Sequence, residues 1–287
     1  MKKTSALRRL LQSDGLIVAP GATTALFARL VELAGFDVVY ATGAGVANMN
    51  LGVPDIGLAT MTESLDVMKR IDDATSLPVI ADIDNGFGNA LMVYRVVREF
   101  TAHGIAGLQL EDQQLPKRCG HFDGKAIIAA GEMIGKIKAA KDAMLDPQTV
   151  LIARTDAIAV EGFERAVERA AAYLEAGADM LFVEAPTSAD MLRRIPAAIE
   201  APHLANMVEG GKTPIVSNGE LQEMGFKMAL YANSPLKAAV KGVMDVLAHL
   251  KAEGTTGNAG HLMITMRERN EITRFDFYRD LETKYRG

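Results

Sequence analysis

Lys117-Arg118-Cys119-Gly120-His121 sets the only cysteine of the chain behind two cations and two positions ahead of a histidine. A cation beside a thiol favours the thiolate, and an imidazole within reach can exchange its proton. The run is therefore suited to acid/base or nucleophilic chemistry. It lies just beyond the carboxylate pair Glu111-Asp112, which closes an apolar run at 105–110 that reads as a strand. An unpaired cysteine alone is more often buried and inert, so position after a strand is what favours a chemical role.

Other polar residues fall at comparable points. Tyr40-Ala41-Thr42-Gly43-Ala44-Gly45 offers a phenol, a hydroxyl and backbone donors able to face a carboxylate. Asp82 and Asp84 are expected on one face of an extended segment, and with Glu111 they make an oxygen-only group suited to Mg²⁺ or Mn²⁺. Asp55 would reach the same ion through water. An isolated Asp-x-Asp is more simply a loop cap, and convergence with Glu111 is what favours a metal. Arg154, Arg118 and Lys117 would face a substrate bearing more than one carboxylate, since guanidinium forks bind carboxylates bidentately. Glu184 and Asn206 complete the set.

These residues need elements to carry them, and the chain supplies a repeating pattern. Short β-branched runs at 16–20, 38–42, 78–82, 107–111, 150–154, 180–184, 203–207 and 227–231 predict eight strands. Helical periodicity occupies 24–34, 62–75, 90–103, 130–143, 161–176, 189–199 and 236–251, and 1–12 reads as a capping helix. Strands alternating with helices predict a parallel sheet, and eight units at this length predict a (β/α)₈ barrel in which the polar residues gather at the carboxyl ends of the strands. The expected division is a catalytic barrel over 1–252 and a helical arm over 253–287.

Composition narrows the function. The formal net charge of −5, with no long basic stripe, argues against nucleic acid as partner. No apolar stretch approaches the roughly 20 residues that span a bilayer, and the first residues lack a signal-peptide pattern, so a cytoplasmic address is expected. One cysteine excludes an intramolecular disulfide framework and a multi-cysteine zinc site. No dinucleotide fingerprint or Walker A pattern occurs, so nucleotide cofactors are not indicated.

With Asp82-Ile83-Asp84-Asn85-Gly86-Phe87-Gly88, Glu111-Asp112-Gln113 and Lys117-Arg118-Cys119-Gly120-His121 in order, the chain resembles the isocitrate lyase/phosphoenolpyruvate mutase superfamily over about residues 10–285. The cysteine run resembles its carbon–carbon lyase branch. Phe122-Asp123-Gly124-Lys125 and Asn206-Met207-Val208-Glu209-Gly210-Gly211-Lys212 look more like 2,3-dimethylmalate lyases and petal death proteins than 2-methylisocitrate lyases. The resemblance implies Mg²⁺ on Asp82, with Asp55, Asp84 and Glu111 ordering its waters, and Cys119 as catalytic acid on a gating loop at 114–126. It implies substrate contacts from Tyr40, Thr42, Gly43, Ala44, Arg154, Glu184 and Asn206. It also implies a homotetramer in which the eighth helix is exchanged between subunits. The expected activity is cleavage of a substituted 2-hydroxy dicarboxylate or tricarboxylate to an α-keto acid and a carboxylic acid. Hydrolysis of oxaloacetate to oxalate and acetate is the alternative, ahead of phosphonate mutase chemistry or a non-catalytic binding barrel.

Overall fold

The computed structural model describes residues 1–122 and 124–286. Eight parallel strands close in sequence order into a barrel: β1 (Ile17–Ala22), β2 (Val39–Ala41), β3 (Val79–Asp82), β4 (Gly107–Glu111), β5 (Val150–Thr155), β6 (Met180–Val183), β7 (His203–Asn206) and β8 (Met228–Tyr231). Around them in chain order run α1 (Lys3–Gln12), α2 (Ala25–Leu33), α3 (Gly43–Gly45, continued as a π-turn over Val46–Leu51), α4 (Met61–Asp73), α5 (Ala90–Ala102) and α6 (Ala130–Ala143). The series goes on with α7 (Ile158–Glu161), α8 (Phe163–Glu175), α9 (Ala189–Ala198), α10 (Asn218–Glu223), α11 (Ser234–Glu253), α12 (Met266–Ile272) and α13 (Phe275–Tyr285). This is the predicted (β/α)₈ barrel with a C-terminal helical arm.

Strand alternation explains how one sheet makes two cores and a site. Ile17, Ala19, Val38, Tyr40, Ile80, Val150, Ile152, Met180, Phe182, Leu204, Met228 and Leu230 form one buried cluster, and Leu7 of α1 joins it. The intervening residues, such as Ala81, Leu108, Leu110, Leu151, Ala153 and Leu181, pack in a second cluster with the helices. A period of two puts residues i and i+2 on one face, so the inward series continues beyond the apolar layers. Its next members are Thr42 after Tyr40, Asp82 after Ile80, Arg154 after Ile152, Glu184 after Phe182 and Asn206 after Leu204. The barrel's packing thereby aims these polar side chains into its mouth.

Three differences from the sequence expectation have local causes. Helix α8 starts after Gly162, whose φ of 90° breaks the continuous helix expected from 161 and leaves α7 as a separate turn. Helix α10 was not expected, being six residues long, although Ser217 and Glu220 form a capping box at its start. The α3 turn was read only as a glycine-rich strand end. Helices α2, α5 and α8 are each followed by a glycine that turns the chain, Gly35, Gly104 and Gly177 at φ of 82°, 86° and 114°.

The eighth barrel helix, α11, departs from the others. Leu236 is its one buried residue, while Val240, Val243, Met244 and Leu247 are 45%, 58%, 62% and 59% exposed. Their spacing makes an apolar stripe along one face, uncovered in the single chain. Among the described residues no helix is long and apolar enough to cross a membrane.

Candidate active site

At the carboxyl end of the barrel, Tyr40, Thr42, Ala44, Asp55, Asp82, Arg154, Glu184 and Asn206 line a cavity of about 30 Å³, and Lys117, Arg118, Cys119, Gly120 and His121 lie over it. Beneath, Tyr40 donates a short hydrogen bond to Gln109. Burial, and then the charge of Asp82, push its phenol well above the ordinary range, so it is a donor. A phenol that holds its proton this firmly is disfavoured as a general base.

Asp82 and Asp84 do meet, but by a turn. Strand β3 ends at Asp82 and Asp84 has φ 48°, so its N–H donates to Asp82 Oδ1 at 3.1 Å. The expected extended pair is thus a tight turn, stabilised as an Asx-type cap. Gly43 N–H donates to Asp82 Oδ2 at 3.2 Å, so this backbone donor serves a protein carboxylate. Lys117 pairs with Asp55 through a short contact, and its ammonium lies 2.6 Å from Asp84 Oδ1, without hydrogen-bond geometry. Lys117 is therefore engaged by the protein's own carboxylates. Burial, eased by Lys117, raises Asp84 to about 6, and burial also raises Asp82 and Glu111.

Arg154 binds Asp156 through Nε at 2.9 Å and Nη2 at 3.1 Å, lies 3.4 Å from Glu111 Oε2 and 3.8 Å from Glu184 Oε1, and stacks over Phe182 at 5.2 Å. The Glu111-Asp112 pair splits across the strand. Asp112 turns to the helix side, accepting from Thr155, Tyr173 and the Asp156 N–H, and is a scaffold for β5.

The cysteine segment is held shut from several sides. Cys119 N–H donates to the Asp55 carbonyl at 3.1 Å, and Gln113 clamps the Arg118 backbone by both ends of its amide at 2.8 Å. Gly120 presses so close that a Cβ there would lie 2.2 Å from Glu184 Oε1 and 2.4 Å from Arg154 Nη2. His121 accepts from Lys212 N–H on Nδ1 at 3.1 Å and turns Nε2 towards Glu184 at 3.4 Å. Burial lowers its pKa, so the ring is neutral, with the proton on Nε2. Asn206 also donates to Glu184, at 3.3 Å. Arg118 is exposed at the rim, its side chain near Gly124. Asp123 lies outside the described residues.

Cys119 departs from the thiolate expectation. Burial pushes its pKa up, and the nearby Asp55 adds to the effect against the opposing charge of Arg154. The neutral thiol is thereby favoured over the thiolate. The sequence reading gave no role to Lys125, Gln113 or Gln109. Lys125 was visible only as part of a branch-like motif, and the two glutamines carried no signal beyond their place beside Glu111.

Among the described residues no three His, Cys, Asp or Glu side chains are grouped to hold a metal ion directly. Arg154 draws on Glu111, and Lys117 stands between Asp55 and Asp84. The set still fits a hydrated divalent cation. The carboxylates Asp55, Asp82, Asp84, Glu111, Asp156 and Glu184 interleave with Lys117, Lys125 and Arg154 at and below the cavity, and Arg118 lies at its rim. Glu111 Oε1 is buried without a hydrogen-bond partner among the described residues. Mg²⁺ characteristically keeps several waters and takes only one or two carboxylates directly.

Comparison with known proteins decides the family. Residues 7–251 match the family described as phosphoenolpyruvate phosphomutase. The chain belongs to the phosphoenolpyruvate mutase/isocitrate lyase superfamily. Within the superfamily it is 43% identical to 2,3-dimethylmalate lyase of Eubacterium barkeri over 99% of both chains. It is 42% identical to 2-methylisocitrate lyase of Shewanella oneidensis, covering 96% of this chain and 94% of that one. A crystal structure of 2,3-dimethylmalate lyase matches with TM-score 0.94 at 35% identity, over 100% of this chain and 96% of that one. Oxaloacetate acetylhydrolase bound to 3,3-difluorooxalacetate matches with TM-score 0.94 at 34% identity, over 100% and 98%. Phosphonopyruvate hydrolase, solved with oxalate and Mg²⁺, matches with TM-score 0.88 at 31% identity, over 99% of both chains.

Proposed function

We propose that this chain is a divalent-metal-dependent carbon–carbon lyase that cleaves a 2-alkylmalate of the 2,3-dimethylmalate type to an α-keto acid such as pyruvate plus a carboxylic acid. The observation that carries the reading is Cys119 roofing a pocket that holds Arg154 together with Asp55, Asp82 and Glu184. Likeness to 2,3-dimethylmalate lyase over nearly the full length of both chains supports it.

In this reading Asp82 would hold Mg²⁺, or Mn²⁺, with Asp55, Asp84 and Glu111 around its waters. When bound, such a cation supplies Lewis-acid stabilisation to the substrate's hydroxyl-bearing end. Tyr40, its one proton given to Gln109, faces the same end with its phenol oxygen as an acceptor. The hydroxyl proton leaves towards the acidic wall, the bond between the hydroxyl carbon and its neighbour breaks, and the electron pair passes into the departing carboxylate. Arg154, with the backbone amide of Ala44, binds that developing charge. Cys119 then delivers its proton to the departing carbon. Glu184, steadied by Asn206 and neutral His121, orients Arg154; Lys117 and Arg118 hold the roof and its charge balance. With the segment closed, bulk water is excluded from the carbanion.

The barrel over 1–252 is the catalytic unit and 253–287 an oligomerisation arm, in a homotetramer built from dimers that exchange α11, working in the cytoplasm. The exposed stripe on α11 supports this assembly.

A second reading, oxaloacetate hydrolysis, is favoured by the equal structural likeness to oxaloacetate acetylhydrolase. One panel separates them: 2-alkylmalates, 2-methylisocitrate and oxaloacetate are supplied with Mg²⁺, and keto acid and oxalate are measured. Keto-acid release that disappears with chelator and returns with Mg²⁺ is expected. Oxalate from oxaloacetate without malate cleavage would establish the hydrolase instead, and full turnover after exhaustive chelation would remove the metal.

A further inference from the structure

Lys125 stands immediately beyond the cysteine segment, yet its ammonium points back beneath it. The Lys125 side chain is 1% exposed and pairs with the fully buried Asp156 at 2.9 Å, while Nζ also makes a short hydrogen bond to the Gly120 carbonyl, next to Cys119. One cation thus ties the roof backbone to the end of β5. Asp156 is also the principal partner of Arg154, and its Oδ1 takes Lys125 at 2.9 Å and Arg154 Nη2 at 3.1 Å together. Burial works against the charge of Asp156, but the two cations outweigh it and hold the carboxyl down to about 2. The cavity below measures about 30 Å³, too small to admit a dicarboxylate without movement of its roof.

We propose that Lys125 is a positioning residue that latches the Cys119 segment shut and, by sharing Asp156 with Arg154, couples closure to the arginine's grip on a substrate carboxylate. With the segment open, Asp156 has Arg154 as its sole strong cation and binds it fully. With the segment closed, Lys125 takes part of that negative charge, leaving more of the guanidinium's field for the substrate. Withdrawal of Lys125 is costly because a buried charge loses a partner, which biases the segment towards closure. Latching concerns the structure alone, whereas the coupling to Arg154 rests on the carboxylate-cleaving reading above.

The test uses full-length enzyme and the lone cysteine as reporter. Iodoacetamide alkylation of Cys119 is followed at several pH values, which separates access from a changed thiol pKa, beside thermal melting and kcat and KM for the best malate in the panel. Lys125→Met should alkylate roughly tenfold faster or more, with the melt still cooperative. Lys125→Arg should recover most of the protection. Lys125→Gln keeps a donor for Gly120 but loses the charge, so it should retain partial protection while KM rises several-fold more than kcat falls. It also serves if Lys125→Met does not fold. Unchanged alkylation in a folded Lys125→Met or Lys125→Gln overturns the latch. Faster alkylation with KM unmoved overturns the coupling to Arg154, and because alkylation needs no substrate, an error in the assigned reaction leaves the latch result standing.

Discussion

At the scale of single residues, the protonation state of Cys119 sets what the site can do. A thiol kept neutral by burial is poised to donate, and loss of a positioned acid ordinarily costs roughly 10²–10⁴ in rate. Cys119→Ser should therefore lose at least about 100-fold in kcat with KM and melting temperature near wild type. A stable variant turning over at the wild-type rate would return Cys119 to the role of filler. The pH dependence has a definite sign. The active form is protonated and its pKa lies above the ordinary thiol value, so activity is retained through neutrality and falls as pH rises through that raised pKa. The alkaline limb of the kcat profile should lie above the range in which an ordinary thiol titrates, and Cys119→Ser should remove it.

At the scale of elements, the cysteine segment works because its backbone can lie directly on the strand ends. Gly120 is the contact point, with Glu184 and Arg154 within 2.4 Å of any added Cβ. In Gly120→Ala the methyl group meets side chains held by Asp156 and Asn206, so the segment must ride up and Cys119 withdraw with it. We expect kcat to fall by roughly 10-fold or more, since misplacement by about 1 Å is costly, while the barrel melts as before. Faster alkylation of Cys119 would accompany the loss, and unaltered kcat would mean that closure does not need this contact.

At the scale of the whole molecule, α11 leaves a row of apolar side chains in water. Val243, Met244 and Leu247, each more than half exposed, are the kind of patch that a partner subunit covers. Light scattering of the full-length protein at micromolar concentration should give a tetramer. Leu247→Glu, which puts a charge into the stripe without touching the barrel interior, should shift it to smaller species and lower the melting temperature. A tetramer equally stable in the variant would place the interface elsewhere.

What the sequence determined by itself was periodicity and residue type. Eight β-branched runs divided by helical stretches specified the barrel, and alternation then fixed that Thr42, Asp82, Arg154, Glu184 and Asn206 continue an inward-facing series. Cys119 and its neighbours stood out because their types and order are chemically unusual. Tertiary structure decided what depends on distances between residues far apart in the chain. The turn at Asp84, the capture of Lys117 by Asp55 and Asp84, and the draw of Arg154 on Glu111 turned an expected three-carboxylate cluster into a more dispersed set. Burial favours the neutral thiol of Cys119 where adjacent cations alone suggested a thiolate, because the cost of desolvating a charge is set by what packs over it. Lys125 acquired its place only through Asp156, 31 positions along the chain, and no local pattern encodes that meeting.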